Sequence, residues 1–359
     1  MPSPNFVIYH YFEKDASYRD NFLHFLAFGV QAGLDYIVII SGQYSIELPE
    51  LDNVRYVFTP AKNSDFGGYA HLINEGLDLR SYENVFFINS SVRGPFLPSY
   101  TEQSWVQIML AQMQAEVGMV GVSICTMKAD FRHSINYQAR FGGNPPYSHV
   151  QTMAYALRRP VLEKLIEQCF YQEDRDANKT LAIENYEIHL SQLVLKQGWN
   201  IACLLPELNT IDYRLPHTNP NPTSTMGDPN EVLGYFGRSV HPYEVLFVKT
   251  NRNLYTEAYL ARLSYSMWQL RAATIAPSLV ANRAISDYLE RISQAALSGE
   301  GVMDFSYLPG AIELQNELAV AIKEAEEVQE QWMQMRQSSS WKITAPLRAL
   351  KDWISGTKR

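Results

Sequence analysis

Asn63-Ser64-Asp65-Phe66-Gly67-Gly68-Tyr69-Ala70-His71-Leu72-Ile73-Asn74, followed shortly by Val85-Phe86-Phe87-Ile88-Asn89-Ser90-Ser91-Val92-Arg93-Gly94-Pro95-Phe96-Leu97-Pro98, decides how this chain folds. Just before it, Val54-Arg55-Tyr56-Val57-Phe58 is a β-branched and aromatic run that predicts a strand, closed by Pro60. Asn63, Asp65, Gly67 and Gly68 predict a turn whose glycines permit positive φ and let backbone N–H groups approach a ligand. Ala70, Leu72, Ile73 and Leu77 recur at helical spacing, and residues 85–88 suit a buried strand but are too few for a helix. Strand, turn, helix, strand is the unit of an α/β sheet, whose ligands sit beyond the carboxyl ends of the strands. That rule places residues 63–68 and 89–94 side by side at one rim. Glycine pairs of this kind equally serve ordinary turns, so the motif alone does not name a ligand.

The same alternation extends both ways. Residues 6–12 and 36–40 predict the first two strands, with a helix over 21–32 between them. Residues 118–124 and 150–157 predict further strands, and the Gly- and Pro-rich residues 141–146 form either a substrate cover or a simple connection. A helix is expected over 183–197, stopped by Gly198 and followed by a strand over 199–205. Glu184, Glu187 and Ser191 fall on one face of that helix. The plain account is a pair of dipole-favoured surface carboxylates, worth a few tenths to about 1 kcal/mol. Residues 216–228, rich in Pro, Asn, Thr and Ser, read as a lid or a plain loop.

Beyond residue 254 the pattern becomes helical through 297 and breaks over 299–310. Ala311, Leu314, Leu318, Ala321, Ala325, Val328, Trp332 and Met335 then recur at spacings of 3 and 4, a pattern for coiled-coil pairing, which would join copies of the chain, or for docking on another helix. The end is basic: Arg336, Lys342, Arg348, Lys351, Lys358 and Arg359 face a single acid, Asp352, with Leu347, Leu350, Trp353 and Ile354 on one side of a helix. Such a tail rests in a membrane interface or is a solvated end. The expected organisation is residues 1–252, a helical extension over 253–298, the heptad helix over 311–337 and the basic tail over 338–359.

A chain of 359 residues with 46% hydrophobic and 19% charged content can build one large domain with an appendage. Its net charge of −8 argues against a nucleic-acid partner. Cys125, Cys169 and Cys203 sit in apolar surroundings without zinc spacing and read as reduced core thiols. No run approaches the roughly 20 apolar residues of a membrane span, and the first residues lack a signal-peptide pattern. The expected location is cytoplasmic, peripheral to the inner face of the membrane if the tail binds lipid.

The order Asn63, Gly67, Ala70, Asn74, Gly76, and then a strand ending in Asn89-Ser90-Ser91, is similar to the GT-A-fold glycosyltransferases. The string over 87–98 resembles a subgroup near the rhamnan-synthesis glycosyltransferases of bacterial surface polysaccharide assembly, and the likeness spans residues 6–252. The resemblance implies an α/β, GT-A-like (Rossmann-like) and mainly parallel sheet flanked by helices, with a C-terminal helical or coiled-coil extension. It also implies a nucleoside-diphosphate-sugar donor, a glycan or lipid-linked acceptor, and transfer with inversion. On the family pattern His10, Tyr11, Asn63, Asp65, Gly67, Gly68, Asn89, Ser90, Ser91, Arg93, His241, Lys249 and Arg252 would bind the donor.

One departure stands out. Where the family carries an Asp-x-Asp motif for a divalent cation (Mg or Mn), this chain has Asn89-Ser90-Ser91, and hard cations want carboxylate oxygens. The expectation is no metal cofactor, with Arg93 and loop N–H groups neutralising the diphosphate, against a structural ion pair for Arg93. Family members also carry an acidic pair a fixed distance before a Gly-aromatic pair like Gly198-Trp199. That spacing puts the catalytic base at Glu187, with Glu184 one turn earlier as the alternative. The missing Asp-x-Asp keeps open a non-catalytic sugar-nucleotide-binding or scaffold subunit, and the same rim would serve a capsule-type sugar phosphotransferase.

Overall fold

The computed structural model describes residues 4–60, 65–171, 179–224, 226–252, 254–272 and 275–298, together with 320, 321, 323 and 327. The chain divides into two compact units, Met1–Val302 and Met303–Arg359. The heptad helix and the basic tail expected from the sequence fall, but for a few positions, outside the described residues.

The first unit is built on the strands β1 (Asn5–Tyr11), β2 (Asp35–Ser41), β3 (Val54–Thr59), β4 (Asn84–Asn89), β5 (Val92–Arg93), β6 (Val117–Gly121), β7 (Ile124–Cys125), β8 (His149–Val150), β9 (Ala154–Arg158), β10 (Asn200–Cys203) and β11 (Val248–Lys249). Its helices are α1 (Ala16–Phe28), α2 (Asp65–Asn74), α3 (Trp105–Leu110), α4 (Arg132–Phe141), α5 (Arg159–Glu167), α6 (Lys179–Ala182), α7 (His189–Lys196), α8 (Pro242–Val245), α9 (Glu257–Arg271), α10 (Pro277–Ala281) and α11 (Arg283–Leu297). A seven-stranded sheet runs in the order β10-β6-β9-β4-β1-β2-β3. Only β9 runs against its neighbours, pairing antiparallel with β4 and β6, so the sheet is mainly parallel and the fold α/β as expected. Two short antiparallel ribbons, β5 with β11 and β7 with β8, extend the strand ends.

Side-chain alternation along β1 decides which residues meet the site. Tyr9 and Tyr11 stack on Phe25 and Phe22 of α1, at centroid distances of 4.4 and 4.3 Å, so α1 covers one face of the sheet. His10 points to the other face, edge-on to Tyr69 of α2. The central strand β4 is buried throughout, the pattern of a parallel strand covered on both faces. Helix α1 starts earlier than hydrophobic periodicity indicates, because the Asp15 carboxylate accepts the Ser17 and Tyr18 N–H groups at 3.0 and 3.2 Å and nucleates it.

Three local expectations are corrected. Gly67 and Gly68 lie inside α2 rather than in a turn, and neither has positive φ. The strand expected over 150–157 is divided into β8 and β9, because Gln151 turns inward to a buried polar network. Of the three cysteines, Cys125 and Cys203 are buried and unbridged, whereas Cys169 is exposed just beyond α5.

The helices after residue 254 pack on the sheet unit through α1. Arg93 pairs with Glu257 of α9, His24 meets the Tyr288 hydroxyl at 3.0 Å, and Arg291 bonds Asp20 at 2.5 Å. No helix among the described residues is long and apolar enough to cross a membrane.

Candidate active site

The carboxyl ends of β1 and β4 are neighbours, with His10 paired in register to Asn89. Ser90 ties them together: its N–H donates to the His10 carbonyl at 3.0 Å, and its hydroxyl joins the Phe12 N–H and carbonyl, each at 3.1 Å. Asn89 is oriented by its own loop. The Ser91 N–H and hydroxyl both donate to Asn89 Oδ1, at 3.0 and 2.5 Å, which leaves Asn89 Nδ2 to donate to Asp65 Oδ2 at 2.5 Å. The first turn of α2 thus closes over the end of β4. A Cβ at Gly68 would lie 2.4 Å from His10 Cδ2, so this glycine is required by the imidazole packed against it rather than by backbone angles.

The charge pattern of this wall follows from its burial. Desolvation keeps the His10 pKa down at about 4, so the ring is neutral near pH 7 and its 3.7 Å approach to Asp65 is not an ion pair. Both His10 ring nitrogens are buried without a hydrogen-bond partner. Asp65 keeps 36% of its side chain exposed, yet it sits in a recess. Desolvation first and the charge of the Glu187 carboxylate second raise its pKa to about 6, against the pull of Lys249 and Asn89.

The helix expected over 183–197 is not uniform. Residues Ile183–Ile188 form a π turn between α6 and α7. Glu187, half-buried, acts electrostatically on Asp65, on Arg252 and on buried His149. Glu184 is instead buried against α4, bonded to His133 Nδ1 at 3.0 Å and Asn136 Nδ2 at 2.8 Å. The shared face expected for Glu184 and Glu187 is lost, because the wider π turn rotates them apart.

Lys249 and Arg252 follow β5–β11 pairing into the same region, with Lys249 in register with Val92, beside Ser91. Arg252 bonds Asp228 at 2.5 Å, and Asp228 and Glu187 raise its pKa against burial. Burial alone would raise the Asp228 pKa, but Arg252, the Asn230 N–H and Lys249 together hold it below the usual carboxylate range.

Several residues named from the sequence are placed elsewhere. Arg93 is 2% exposed, with Nη1 on Glu257 Oε2 at 2.6 Å and Nε on Asn21 Oδ1 at 3.0 Å, so its guanidinium is engaged between the sheet and α9. Tyr11 faces α1 and donates to Glu13 at 2.6 Å. His241 caps α8, with Nδ1 accepting the Tyr243 N–H at 3.1 Å and Nε2 against the Tyr259 hydroxyl at 2.8 Å. Asn63 lies outside the described residues. Asp228, Asn230, Gln151 and His149 were not singled out. Asn230 bonds Ser123 Oγ at 2.7 Å and also Gln151, and a Cβ at Gly227 would meet the Thr126 carbonyl at 2.0 Å. The irregular segment is therefore seated against β7. The Asp228-Pro229-Asn230 turn, with its Asp228 Oδ1 to Asn230 N–H bond of 2.8 Å, was the available signal.

The residues at 89–91 do not fit a hard divalent cation. Asn89 Oδ1 is taken by Ser91, Ser90 Oγ by the Phe12 backbone, and none of the three is a carboxylate. Among the described residues, no group of three or more His, Cys, Asp or Glu is arranged to hold a metal.

No family model matches the chain, and no curated protein matches it. Among solved structures it is similar to a mannosyltransferase from Pyrobaculum calidifontis in complex with GDP-Man and Mn2+, at 12% identity over 98% of this chain and 90% of that one, with a TM-score of 0.34. It is also similar to a glycosyltransferase involved in glycosylation of the major capsid of PBCV-1, at 11% identity over 56% and 81%, TM-score 0.28. A third is 4-diphosphocytidyl-2C-methyl-D-erythritol synthase from Anaerococcus prevotii, at 13% identity over 50% and 81%, TM-score 0.27. Likenesses this slight carry no argument, and the fold rests on the strand order itself.

Proposed function

We propose that this chain is a glycosyltransferase that moves a hexosyl or deoxyhexosyl group from a nucleoside-diphosphate sugar to a bacterial surface glycan, with inversion and without a metal. The observation that carries this reading is the electrostatic coupling of Glu187 to Asp65, which is hydrogen-bonded to Asn89 at the end of β4, and to Arg252. A half-buried carboxylate near this polar cradle suits direct displacement. Glu187 accepts the proton of the acceptor hydroxyl, whose oxygen attacks the anomeric carbon as the bond to the diphosphate breaks. Lys249 and Arg252 stabilise the charge that develops on the leaving diphosphate. In this reading Asn89 and Ser91 shape the donor cradle, and Ser90 and Gly68 hold its walls together.

The resemblance of residues 87–98 to rhamnan-synthesis enzymes supports a growing glycan or a lipid-linked glycan as acceptor. A cytoplasmic enzyme, brought to the inner membrane face by residues 338–359 and paired through 311–337, completes the proposal from sequence alone. The second reading, a non-catalytic sugar-nucleotide-binding subunit, is favoured by Asn89-Ser90-Ser91. A thermal-shift panel of UDP-, GDP- and dTDP-sugars, followed by identification of the nucleotide released from the best binder, separates them. Nucleoside diphosphate supports transfer, nucleoside monophosphate a phosphotransferase, and binding without turnover the non-catalytic subunit.

A further inference from the structure

The π turn that carries Glu187 is held by side chains along its length and beyond its C-terminal end. One face of α4 supplies a ladder of contacts at helical spacing, to the turn itself and to His189 just after it. His133 and Asn136 grip Glu184, Arg140 Nη1 bonds Asn185 Oδ1, and the Tyr137 hydroxyl meets His189 Nδ1 at 2.9 Å. Phe141 at the end of α4 stacks on the His189 ring with centroids 4.1 Å apart. On the C-terminal side, Ser191 Oγ accepts the Val150 N–H at 2.9 Å, and Gln192 Nε2 donates to the Ser148 carbonyl at 2.8 Å, fixing α7 to β8. Under this hold Ile183–Ile188 keep the wider π turn, bonded i→i+5. Glu187 lies in that widened stretch and is electrostatically coupled to Asp65 and Arg252.

We infer that Glu184 is a positioning residue: anchored to His133 and Asn136 of α4, it keeps the π turn open and so directs the Glu187 carboxylate into the cleft. The inference rests on the reading of Glu187 as base. Glu184 is itself buried, faces α4 and touches no part of the donor cradle, so it acts only through Glu187. If the anchor is lost, the segment relaxes towards a regular helix and turns the Glu187 carboxylate away, while the donor wall of Asp65, Asn89 and Ser91 is undisturbed. Loss of the anchor therefore lowers turnover and spares donor binding.

The test compares Glu184→Ala, Glu184→Gln, the double variant His133→Ala/Asn136→Ala, and Glu187→Gln. Each is assayed for release of nucleoside diphosphate from the nucleotide sugar that gives the largest thermal shift with the wild type, and each unfolding midpoint is recorded. Displacing a catalytic group by about 1 Å costs on the order of 10²-fold. Glu184→Ala and the double variant should therefore lose roughly 10–100-fold in kcat with KM within about twofold. Glu184→Gln, which keeps an acceptor oxygen for Asn136, should recover most of that loss. Glu187→Gln should lose on the order of 10²–10⁴-fold. Full activity of Glu184→Ala beside an inactive Glu187→Gln overturns the positioning role alone. An active Glu187→Gln overturns the base assignment, and a Glu184→Gln as inactive as Glu184→Ala makes Glu184 itself the base. A loss confined to KM, or tracking a lowered unfolding midpoint, overturns the positioning role in favour of plain structural support.

Discussion

The placement of Arg93 makes a sharp prediction, because a diphosphate ligand and a structural pair respond oppositely to mutation. The perturbation is Glu257→Gln, which keeps shape and removes one charge. Arg93 is 2% exposed, and its partners are the Glu257 carboxylate, at 2.6 and 3.3 Å, and Asn21 Oδ1 at 3.0 Å. Removing one partner of a fully buried pair costs about 3–5 kcal/mol. Glu257 is 65% exposed, so water screens the pair and can replace part of the contact, which lowers the figure to about 1–3 kcal/mol. For a domain of this size that is a fall of several degrees in Tm, read by calorimetry or thermal fluorescence. Donor affinity, measured by isothermal titration with the best-binding nucleotide sugar, should stay within about twofold for both Glu257→Gln and Arg93→Met. An Arg93→Met protein with an unchanged Tm and donor affinity weakened tenfold or more would refute the reasoning and return Arg93 to the diphosphate.

Two further outcomes follow from the donor wall. Gly68→Ala forces a methyl to 2.4 Å from the buried His10 ring, an overpacking cost of about 1–3 kcal/mol against about 1 kcal/mol of gained helix propensity. The net loss of up to about 2 kcal/mol should shrink in Gly68→Ala/His10→Ala, and strictly additive effects in denaturant unfolding would disprove the contact. Asp65 titrates at about 6, above its usual value, so its charge opposes the donor diphosphate above that pH and is lost below it. Donor affinity should therefore rise as the pH falls from about 7.5 to about 5.5. Asp65→Asn should bind more tightly at the higher pH and lose the dependence, and a wild-type affinity flat across that range argues against the carboxylate facing the diphosphate.

The parts of this account that were legible in the sequence are those set by short-range pattern. The apolar runs at 6–12, 36–40, 54–58 and 85–88 mark strands, the rule that ligands gather at strand ends brings Asp65 and Asn89 to one rim, and the family resemblance adds His10. What stayed hidden depended on contacts between distant segments or on a change of helical register. The Arg93–Glu257 pair joins β5 to α9, and nothing near Arg93 in sequence marks its partner. Asp228 meets Arg252 in an irregular segment that Gly227 lets press against the Thr126 carbonyl. The π turn leaves no local mark, since its cause lies in α4 and β8. Gly68 of α2 is needed for the absence of a Cβ beside His10, not for positive φ.

The most direct test of the central claim is the nucleotide released when wild-type protein is incubated, in excess EDTA, with the nucleotide sugar it binds best. The account predicts steady release of the nucleoside diphosphate, lost in Glu187→Gln. Release of nucleoside monophosphate, turnover only after Mn2+ or Mg2+ is restored, or an undiminished rate in Glu187→Gln would contradict it.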